Sequence, residues 1–383
     1  MKFKKYTSIE NSYREKFVSA CVNSILGGYC DDDFVVEEKA HGANFAFYYD
    51  GTELKTASRT AFLAGDGESF SKSNKIKERY AGAIKTLYSL LGYDSGGGGG
   101  GGDGDGDGGS GRNKKNNPTV TIRVVGELIG GSYRHPNVER NHQLPKIQKG
   151  VDYCPGHEFY AFDLYVLSPD GDHEDGEEAR YRTTVDKLEM NSLFEEAGLF
   201  YAKPLFRGTL YECLAFDNTF KSHIPGWLGL PEHPAANTAE GKVIKPVRVA
   251  TLANGCKIIL KDKAEAFTEV HEVRPSEKKS LKKAAATAAV ALSGRGVELA
   301  DILRAHITTN RLSNVLSKLP DRESVTVKDF NRIVGLFSRD AFDEFEKDYA
   351  EDFAALNPKE KKLVKKLFGS EAAALIRNSL PQK

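Results

Sequence analysis

The sequence predicts an α+β protein, with a mixed body over residues 1–272 followed by an all-α segment over residues 273–383. Short runs rich in β-branched and aromatic residues recur through the body and stop at the proposed boundary. Residues 76–91 place apolar side chains at helical spacing, and residues 300–316 do the same in the second part. A chain of 383 residues also exceeds the usual size of one domain.

Each predicted element has its own local signal. The apolar runs that predict strands are 34–36, 44–49, 119–128, 159–167, 241–246 and 257–260. Residues 342–356 repeat apolar side chains at helical spacing. Asn357, Pro358 and Glu360 then predict a new helix start, because they supply a cap, a proline at the first position and an acid at the third.

Charge and cysteine content exclude several classes of protein. The chain has 54 Lys and Arg against 54 Asp and Glu, so a uniformly basic nucleic-acid coat is excluded. The segment 274–383 has 21 basic and 15 acidic residues, whereas the rest has 33 and 39, so the tail is the more electropositive part. Five scattered cysteines indicate reduced thiols, and no apolar run is long enough for a membrane span. We expect a soluble intracellular protein without a signal peptide.

A glycine- and aspartate-rich insert lies at about residues 94–117. Residues 95–111 contain 12 glycines among 17 positions, a composition that favours a disordered loop. Asp103, Asp105 and Asp107 imitate the start of a calcium-binding loop. Lys114 occupies the position where such a loop requires a glutamate, so a calcium site is excluded.

A lysine at a strand end is the main candidate for chemistry, because phosphate-loop, zinc-protease and serine-hydrolase motifs are absent from the sequence. Lys39 precedes a turn at Gly42, where the backbone can lie close to a ligand. A nucleophilic lysine must lose its proton, which neighbouring cations or burial favour. Taken alone, one lysine beside a glycine is weak evidence, and an ordinary surface lysine is the favoured interpretation.

Six short motifs in order strengthen the case for Lys39. They are KAHGAN at 39–44, SRT at 58–60, GEL at 126–128, FYAFD at 159–163, EGKVIKP at 240–246 and KDK at 261–263. The series resembles the RNA ligase 2 family, which includes phage-type RNA ligase 2 and the RNA-editing ligases, within the covalent nucleotidyltransferases. Histidine at the third motif position is typical of this family, whereas DNA ligases usually have aspartate there. Residues 3–13, 151–154, 309–315 and 328–330 extend the resemblance over most of the chain.

The resemblance implies a fold and a reaction. The fold is an ATP-grasp-like nucleotidyltransferase domain of two antiparallel sheets with flanking helices, followed by a small all-α domain for RNA binding and sealing. The reaction joins 3′-OH and 5′-phosphate RNA ends through lysyl-AMP and RNA-adenylate intermediates. ATP and Mg²⁺ or Mn²⁺ are the implied cofactors. The implied partner is RNA with a nicked duplex or bridged ends, and the expected state is a monomer that does not bind membranes.

Residue roles carried over from the resemblance follow the motifs. Lys39 is the expected nucleophile, and His41, Lys261 and Lys263 are the other expected catalytic residues. The residues expected to bind the nucleotide are Glu38, Lys39, Ala40, Asn44, Arg59, Glu127, Phe162, Glu240, Lys245, Lys261 and Lys263. Glu240 is also the expected metal ligand.

Arg311 and Asp340 are expected to act at the RNA end, with an ion pair on a helix surface as the alternative. Ser58 departs from the lysine of the phage-type pattern, which leaves the contacts with the nucleotide and the RNA end open at that position.

Two other functions remain open for the whole chain. One is a DNA ligase or another nucleotidyltransferase that uses the same lysine, and the other is a non-catalytic protein that binds RNA ends.

Overall fold

The computed structural model describes residues 1–63, 73–93, 120–167, 186–269, 292–319 and 324–381. These residues form two compact units, Met1–Ala264 and Glu265–Lys383. The predicted insert at 94–117 and the predicted boundary between residues 272 and 273 lie outside the described residues. Among the helices that are described, none is both long enough and apolar enough to cross a membrane.

The first unit contains two sheets and several short helices. Its strands are β1 (Glu10–Asn11), β2 (Phe34–Glu38), β3 (Ala43–Tyr49), β4 (Leu54–Ser58), β5 (Thr121–Ser132), β6 (Cys154–Leu167), β7 (Pro204–Gly208), β8 (Gly241–Pro246) and β9 (Leu260–Lys263). Its helices are α1 (Glu15–Leu26), α2 (Asn74–Leu90), α3 (Lys187–Glu196), α4 (Leu210–Ala215) and α5 (Ile224–Trp227). The strand predicted at 257–260 therefore starts three residues later than expected and continues through the KDK motif.

The five-stranded sheet has the order β1-β9-β8-β2-β7. Its pairs are antiparallel except for β1 and β9, which run parallel. One face carries Phe34, Val36, Ile244 and Leu260, which pack with Cys21 of α1 and other buried residues. Because side chains alternate along a strand, the opposite face is left for Val35, Glu37, Lys245 and the two lysines of β9. The apolar face therefore anchors the sheet and leaves its charged face toward the site.

The four-stranded sheet has the order β4-β3-β5-β6 and is antiparallel throughout. Phe45, Phe47 and Phe159 lie on the face that α2 and α3 cover, within the largest core of the unit. Tyr48 and Tyr165 lie on the other face, in a smaller cluster with residues of the N-terminal segment. Side chains of this second face meet the charged face of the five-stranded sheet, so the two sheets enclose a polar interior.

The second unit is helical in the residues described. Its helices are α6 (Gly294–Arg304), α7 (Thr309–Ser317), α8 (Phe330–Ala355) and α9 (Pro358–Ser379). Leu303, Phe337, Phe345, Phe368 and Ile376 are fully buried or nearly so and form the centre of its core. A mixed first unit and a helical second unit confirm the predicted α+β class.

Two predicted helical stretches differ from the structure at their ends. The stretch 300–316 is two helices, because Thr308 leaves the helical conformation and caps α7 by accepting the Arg311 N–H. The helix predicted from residue 342 begins at Phe330 instead. The predicted start of α9 is confirmed, since Asn357 and Glu360 form a reciprocal capping box.

Lys242 on β8 is fully buried on the helix-covered face of the five-stranded sheet. Its ammonium group donates to the carbonyl oxygens of Cys213 at 3.0 Å and Leu214 at 2.7 Å, and also to that of Phe216. These carbonyls lie at the C-terminal end of α4 and have no partners within the helix. Asp262 adds an ion pair at 3.5 Å. Lys242 therefore ties α4 to the strand that follows Glu240.

Replacing Lys242 with methionine should lower the free energy of unfolding by about 2–4 kcal/mol, because buried carbonyl oxygens lose their donor. Urea unfolding followed by circular dichroism would measure the loss. Lys55→Met is the matched control, since Lys55 is an exposed strand lysine that pairs with an exposed glutamate, and it should change stability by less than about 0.5 kcal/mol. Equal losses in both variants would contradict the role given to Lys242.

Candidate active site

Lys39 and Glu240 are brought together by the pairing of β2 with β8. Lys39 directly follows β2, and its backbone N–H donates to the carbonyl of Gly241 at 2.9 Å. Glu240 directly precedes β8, so the two side chains emerge at the same edge of the sheet. The Nζ atom of Lys39 lies 2.7 Å from Oε2 of Glu240. Residues 201 positions apart in the chain thus form one ion pair.

The carboxylate of Glu240 is the centre of a cationic cluster. His41 Nδ1 lies 3.3 Å from Oε2, and Lys263 Nζ lies 3.0 Å from Oε1. Burial alone would raise the pKa of Glu240, but Lys263, Lys39 and His41 together hold this pKa well below its usual range. Glu240 therefore stays ionised and fixes three of the predicted site residues around one point.

The KDK motif presents its two lysines on one face of β9. In the ladder Lys263 pairs with Gly241 and Lys261 pairs with Val243, while Asp262 between them faces the buried Lys242. Side-chain alternation therefore places both motif lysines on the charged face of the sheet. Both side chains are partly buried.

Gly42 brings the predicted turn against β5. A Cβ atom at this position would lie 2.1 Å from the carbonyl oxygen of Leu128, so glycine is required for the close approach. The backbone N–H of Gly42 bonds the carboxylate of Glu127. Burial raises the pKa of Glu127 to about 7, opposed by Lys39 and Arg59 and assisted by Glu240. The two predicted carboxylates thus differ in pKa, because nearby cations outweigh burial at Glu240, whereas burial outweighs Lys39 and Arg59 at Glu127.

Asn44 lies opposite Glu127 in the β3–β5 ladder. Its amide nitrogen donates weakly to the carbonyl of Gly126 at 3.4 Å. Its buried Oδ1 accepts no hydrogen bond from any residue that the structure describes. An unused buried acceptor costs free energy unless a partner binds there, so Asn44 offers a specific place for a donor group of a ligand.

A β-bulge presents the FYAFD motif to the site. Asp163 pairs with Val125 and Ala161 pairs with Gly126, which leaves Phe162 as an extra residue on β6. Lys245 fits against this bulge, because its Nζ donates to the Phe162 carbonyl at 3.0 Å and to Asp163 Oδ1 at 3.1 Å. The same ammonium lies 5.2 Å from the centre of the Phe162 ring. The bulge thereby aligns the aromatic face with a cation.

Three residues behind Lys245 were missed by sequence reasoning. Glu37 lies 3.2 Å from Lys245 and 2.5 Å from Lys187, and the Tyr6 hydroxyl donates to Asp163 at 2.6 Å. Burial would lower the pKa of Lys245, but Asp163 and Glu37 raise it above its ordinary value. Glu37 could have been found from strand alternation, since it lies two positions before Lys39. Tyr6 and Lys187 carry no comparable signal.

Three of the predicted nucleotide-binding residues have no hydrogen bond or ion pair with Glu240 among the described residues. Glu38 faces away from Lys39, and its buried carboxylate accepts from the Ser222 hydroxyl at 2.6 Å and the His223 N–H at 2.7 Å. Ala40 is buried in the turn itself. Arg59 follows β4, is partly exposed and acts on Glu127 through its charge. Nucleotide contacts by these residues stay predictions.

Arg311 and Asp340 lie in the second unit and form an ion pair. Arg311 is 2% exposed, and one terminal nitrogen donates to Asp340 Oδ2 at 2.6 Å and to its carbonyl at 3.1 Å. The other lies 3.0 Å from Nδ1 of His306. The pair joins α7 to α8, as the ion-pair alternative requires, although the arginine is buried instead of lying on the surface. Action of these residues at the RNA end stays a prediction.

Comparison with known protein families shows which family the chain belongs to. A family model described as RNA ligase matches residues 32–263, and a second, described as the C-terminal part of T4 RNA ligase 2, matches residues 290–374. The first match alone covers more than half of the chain. This chain belongs to the RNA ligase family. The predicted family and enzyme class are therefore confirmed.

Two curated relatives from Trypanosoma brucei brucei are similar to this member of the RNA ligase family over most of its length. Mitochondrial RNA-editing ligase 2 is 27% identical over 387 residues, which cover 90% of this chain and 83% of the relative. Mitochondrial RNA-editing ligase 1 is 29% identical over 366 residues, covering 84% of this chain and 71% of the relative.

Solved structures of an RNA ligase from Naegleria gruberi are also similar. A mutant with ATP and Mn has a TM-score of 0.39 and 16% identity, covering 69% of this chain and 57% of that one. The structure with pyrophosphate has a TM-score of 0.37 and 17% identity, covering 71% and 59%. The chain thus spans less than two thirds of the length of these solved proteins.

Replacing Glu127 with glutamine should flatten the pH dependence of stability. The pKa of Glu127 is raised from 4.5 to about 7, so between these values the folded protein holds more protons at this carboxyl than the unfolded chain. The free energy of unfolding therefore falls as pH rises through this window, and glutamine removes that part of the fall. Urea unfolding at several pH values would measure it. Glu53→Gln, at an exposed glutamate, should instead follow the wild type, and a Glu127→Gln curve parallel to the wild type would contradict the raised pKa.

Proposed function

We propose that this protein is an ATP-dependent RNA ligase that seals 3′-OH and 5′-phosphate ends at breaks in duplex RNA through lysyl-AMP and RNA-adenylate intermediates. The observation that carries the proposal is the cluster of Lys39, His41 and Lys263 around Glu240. Phosphoryl transfer needs a positioned nucleophile and fixed cations around a crowded anion. This cluster supplies a lysine nucleophile together with such cations.

In the first step, the Nζ atom of Lys39 forms a bond to the α-phosphorus of ATP, and pyrophosphate leaves. The amine must be neutral to attack, so Lys39 loses a proton to solvent before the bond to phosphorus forms. Lys263 and Lys261 on the same face of β9 supply positive charge for the phosphates. In the second step, an oxygen of the RNA 5′-phosphate attacks the phosphorus of lysyl-AMP, the P–N bond breaks and Lys39 is released as an amine. In the third step, the RNA 3′-OH attacks the 5′-phosphate and AMP leaves.

The nucleoside part of ATP fits the remaining side chains. Phe162 offers a ring face beside Lys245 on which adenine can stack. Asn44 Oδ1 is a buried acceptor without a donor among the described residues, as an adenine or ribose N–H or O–H would require. We assign to Glu127 and Arg59 the contacts with the ribose hydroxyls and phosphate. These contacts would orient the α-phosphorus toward Lys39.

A divalent cation fits this donor set. Within the described residues there is no group of three or more histidine, cysteine and acidic side chains that could hold a metal alone. Mg²⁺ is commonly held by one or two carboxylates together with substrate phosphates, and Glu240 provides such a carboxylate. When bound, Mg²⁺ or Mn²⁺ would supply charge neutralisation at the phosphates.

The RNA substrate is carried over from the family and from the relatives that are named RNA-editing ligases. A nicked duplex is the proposed form, since the second unit resembles the C-terminal part of a ligase of this kind. We further propose a monomer that works in an ATP-containing intracellular compartment. Sealing of nicked RNA, compared with nicked DNA in the same sequence, tests the choice of nucleic acid.

Lys39→Ala should abolish the covalent AMP adduct, because it removes the attacking nitrogen. Lys39→Arg should fail as well, since a guanidinium stays protonated. Incubation with α-labelled ATP followed by a denaturing gel measures the adduct, and Lys55→Ala serves as a control with an exposed lysine. A labelled band in Lys39→Ala would show that another residue is the nucleophile. Absence of a band in the wild type would remove the proposed enzyme activity.

Truncation after Ala264 should separate adenylylation from sealing. The remaining unit holds all six motifs and both sheets, so it should still form the AMP adduct. The removed part, residues 265–383, carries a net positive charge, with 21 Lys and Arg against 18 Asp and Glu, and docking a duplex requires positive charge. Gel-based sealing of a nicked RNA duplex should fall at least about tenfold. Near wild-type sealing by the truncated protein would contradict this division between the units.

A further inference from the structure

Asp152 forms the centre of a second charged cluster, in the segment that links β5 to β6. Its side chain is completely buried. Arg134 donates through Nε to Oδ2 at 2.6 Å, and Lys146 donates to Oδ1 at 2.5 Å. Burial would raise the pKa of Asp152, but hydrogen bonds from Lys146 and Arg134 hold it well below its usual range. A permanently ionised carboxylate therefore organises two cations.

The same carboxylate is supported from the segment that leads into β8. His233 Nδ1 contacts the backbone of Ala235, whose N–H donates to it at 3.1 Å, and Nε2 lies 3.3 Å from Asp152 Oδ2. Asn237 exchanges two hydrogen bonds with the backbone of Asp152, at 2.8 and 2.7 Å. Asn237 adopts a φ of 42°, the one positive φ outside glycine among the described residues. Hydrogen bonds from several segments therefore hold this cluster in place.

Charge in this cluster is not balanced. The full positive charges of Arg134 and Lys146 face the one buried negative charge of Asp152. The side chain of Arg134 is 66% exposed, and its two terminal nitrogens donate to no residue that the structure describes. Residues 134–149 contain four lysines and arginines against one acid, although the first 273 residues are acidic overall. The cluster leaves a guanidinium edge directed to solvent.

Arg134 lies in the segment between β5 and β6, and this segment contacts the turn that follows Lys39. The hydroxyl of Tyr153, the residue after Asp152, accepts the backbone N–H of His41 at 2.8 Å. Gln148 donates to the carbonyl of Gly42 at 3.4 Å. On the other side, Asn237 precedes Glu240 by three residues. The cluster thus adjoins both strand ends that carry the proposed nucleophile and its carboxylate partner.

We propose that Arg134 and Lys146, held by Asp152, form a phosphate-binding site next to the lysine pocket. The occupied Nε leaves the outer edge of the guanidinium for two parallel hydrogen bonds to phosphate oxygens, which is a strong geometry for arginine. The ligand is a phosphate of the RNA strand or of ATP, and recognition of it is independent of base sequence. The inference rests on the proposed ligase function, because it names a contact of that substrate.

Arg134→Ala tests the site in two arms, with the full-length protein. The first arm is self-adenylylation with labelled ATP, and the second is sealing of preadenylylated nicked RNA duplex, which needs no ATP. A contact with RNA should raise KM in the second arm roughly tenfold and leave the first unchanged. It should also reduce the slope of log KM against log salt by about one. A contact with the phosphates of ATP should raise KM in the first arm only. Either pattern supports the phosphate site and identifies its source.

Two further variants keep the result interpretable. Arg248→Ala is the matched control, because Arg248 is a 71% exposed arginine that also pairs with an aspartate, and it should leave both arms unchanged. Arg134→Lys should retain part of the affinity, since it keeps the charge.

The phosphate site is overturned if Arg134→Ala matches the control in both arms. It is also overturned if both arms fall together with the thermal midpoint and lysine restores nothing, which is the result of a structural role. A wild-type protein that forms no lysyl-AMP would instead refute the proposed function.

Discussion

The site depends on one buried carboxylate that offsets a local excess of positive charge. Lys39, Lys263 and His41 all contact Glu240, and Lys261 shares the same face of the sheet. Two like charges about 4 Å apart repel by roughly 4 kcal/mol at an effective dielectric constant of 20, so such a group would not stay together without an anion at its centre. The strand pairing places Glu240 where this compensation is needed.

Charges of opposite sign also alternate among the buried side chains between the two sheets. Lys187 pairs with Glu37, Glu37 with Lys245, and Lys245 with Asp163, which also accepts from Tyr6. Each buried charge has a partner of opposite sign, because an isolated charge would be too costly to bury. The bulge at Phe162 is what lets Asp163 reach this chain while the aromatic ring stays beside the lysine. These paired charges support the side chains of the proposed adenine site from below.

Much of the site was predictable, because its residues lie in short local motifs at strand ends. Lys39, Glu240 and Lys263 were named from the sequence, and the structure brings them into contact. Residues missed by the motif reading, such as Tyr6 and Lys187, act through contacts between distant segments, which leave no periodic or local signal. The direction of Glu38 away from Lys39 follows from strand alternation.

Fold prediction failed where hydrogen bonding overrode apolar spacing. One predicted helix was two, because Thr308 interrupts it as a cap. Strand β9 likewise begins at the end of its predicted apolar run and continues through charged residues, since its partners on β8 determine where the ladder lies. The sequence pattern predicted whether a segment is a helix or a strand. The residues at which each one begins and ends depend on its partners in the folded protein.

The parallel pairing of β1 with β9 determines when the five-stranded sheet can be completed during synthesis. Glu10 pairs with Leu260, and Asn11 with Lys261, so the sheet joins the start of the first unit to its end. At a synthesis rate of about 5–20 residues per second, the N-terminal strand waits roughly 12–50 s on the ribosome for its partner. Strand β8 is made only shortly before β9, so the two lysines of β9 are among the last residues of the site to be added. A nascent chain therefore holds its nucleotide pocket incomplete until the whole unit has emerged from the exit tunnel.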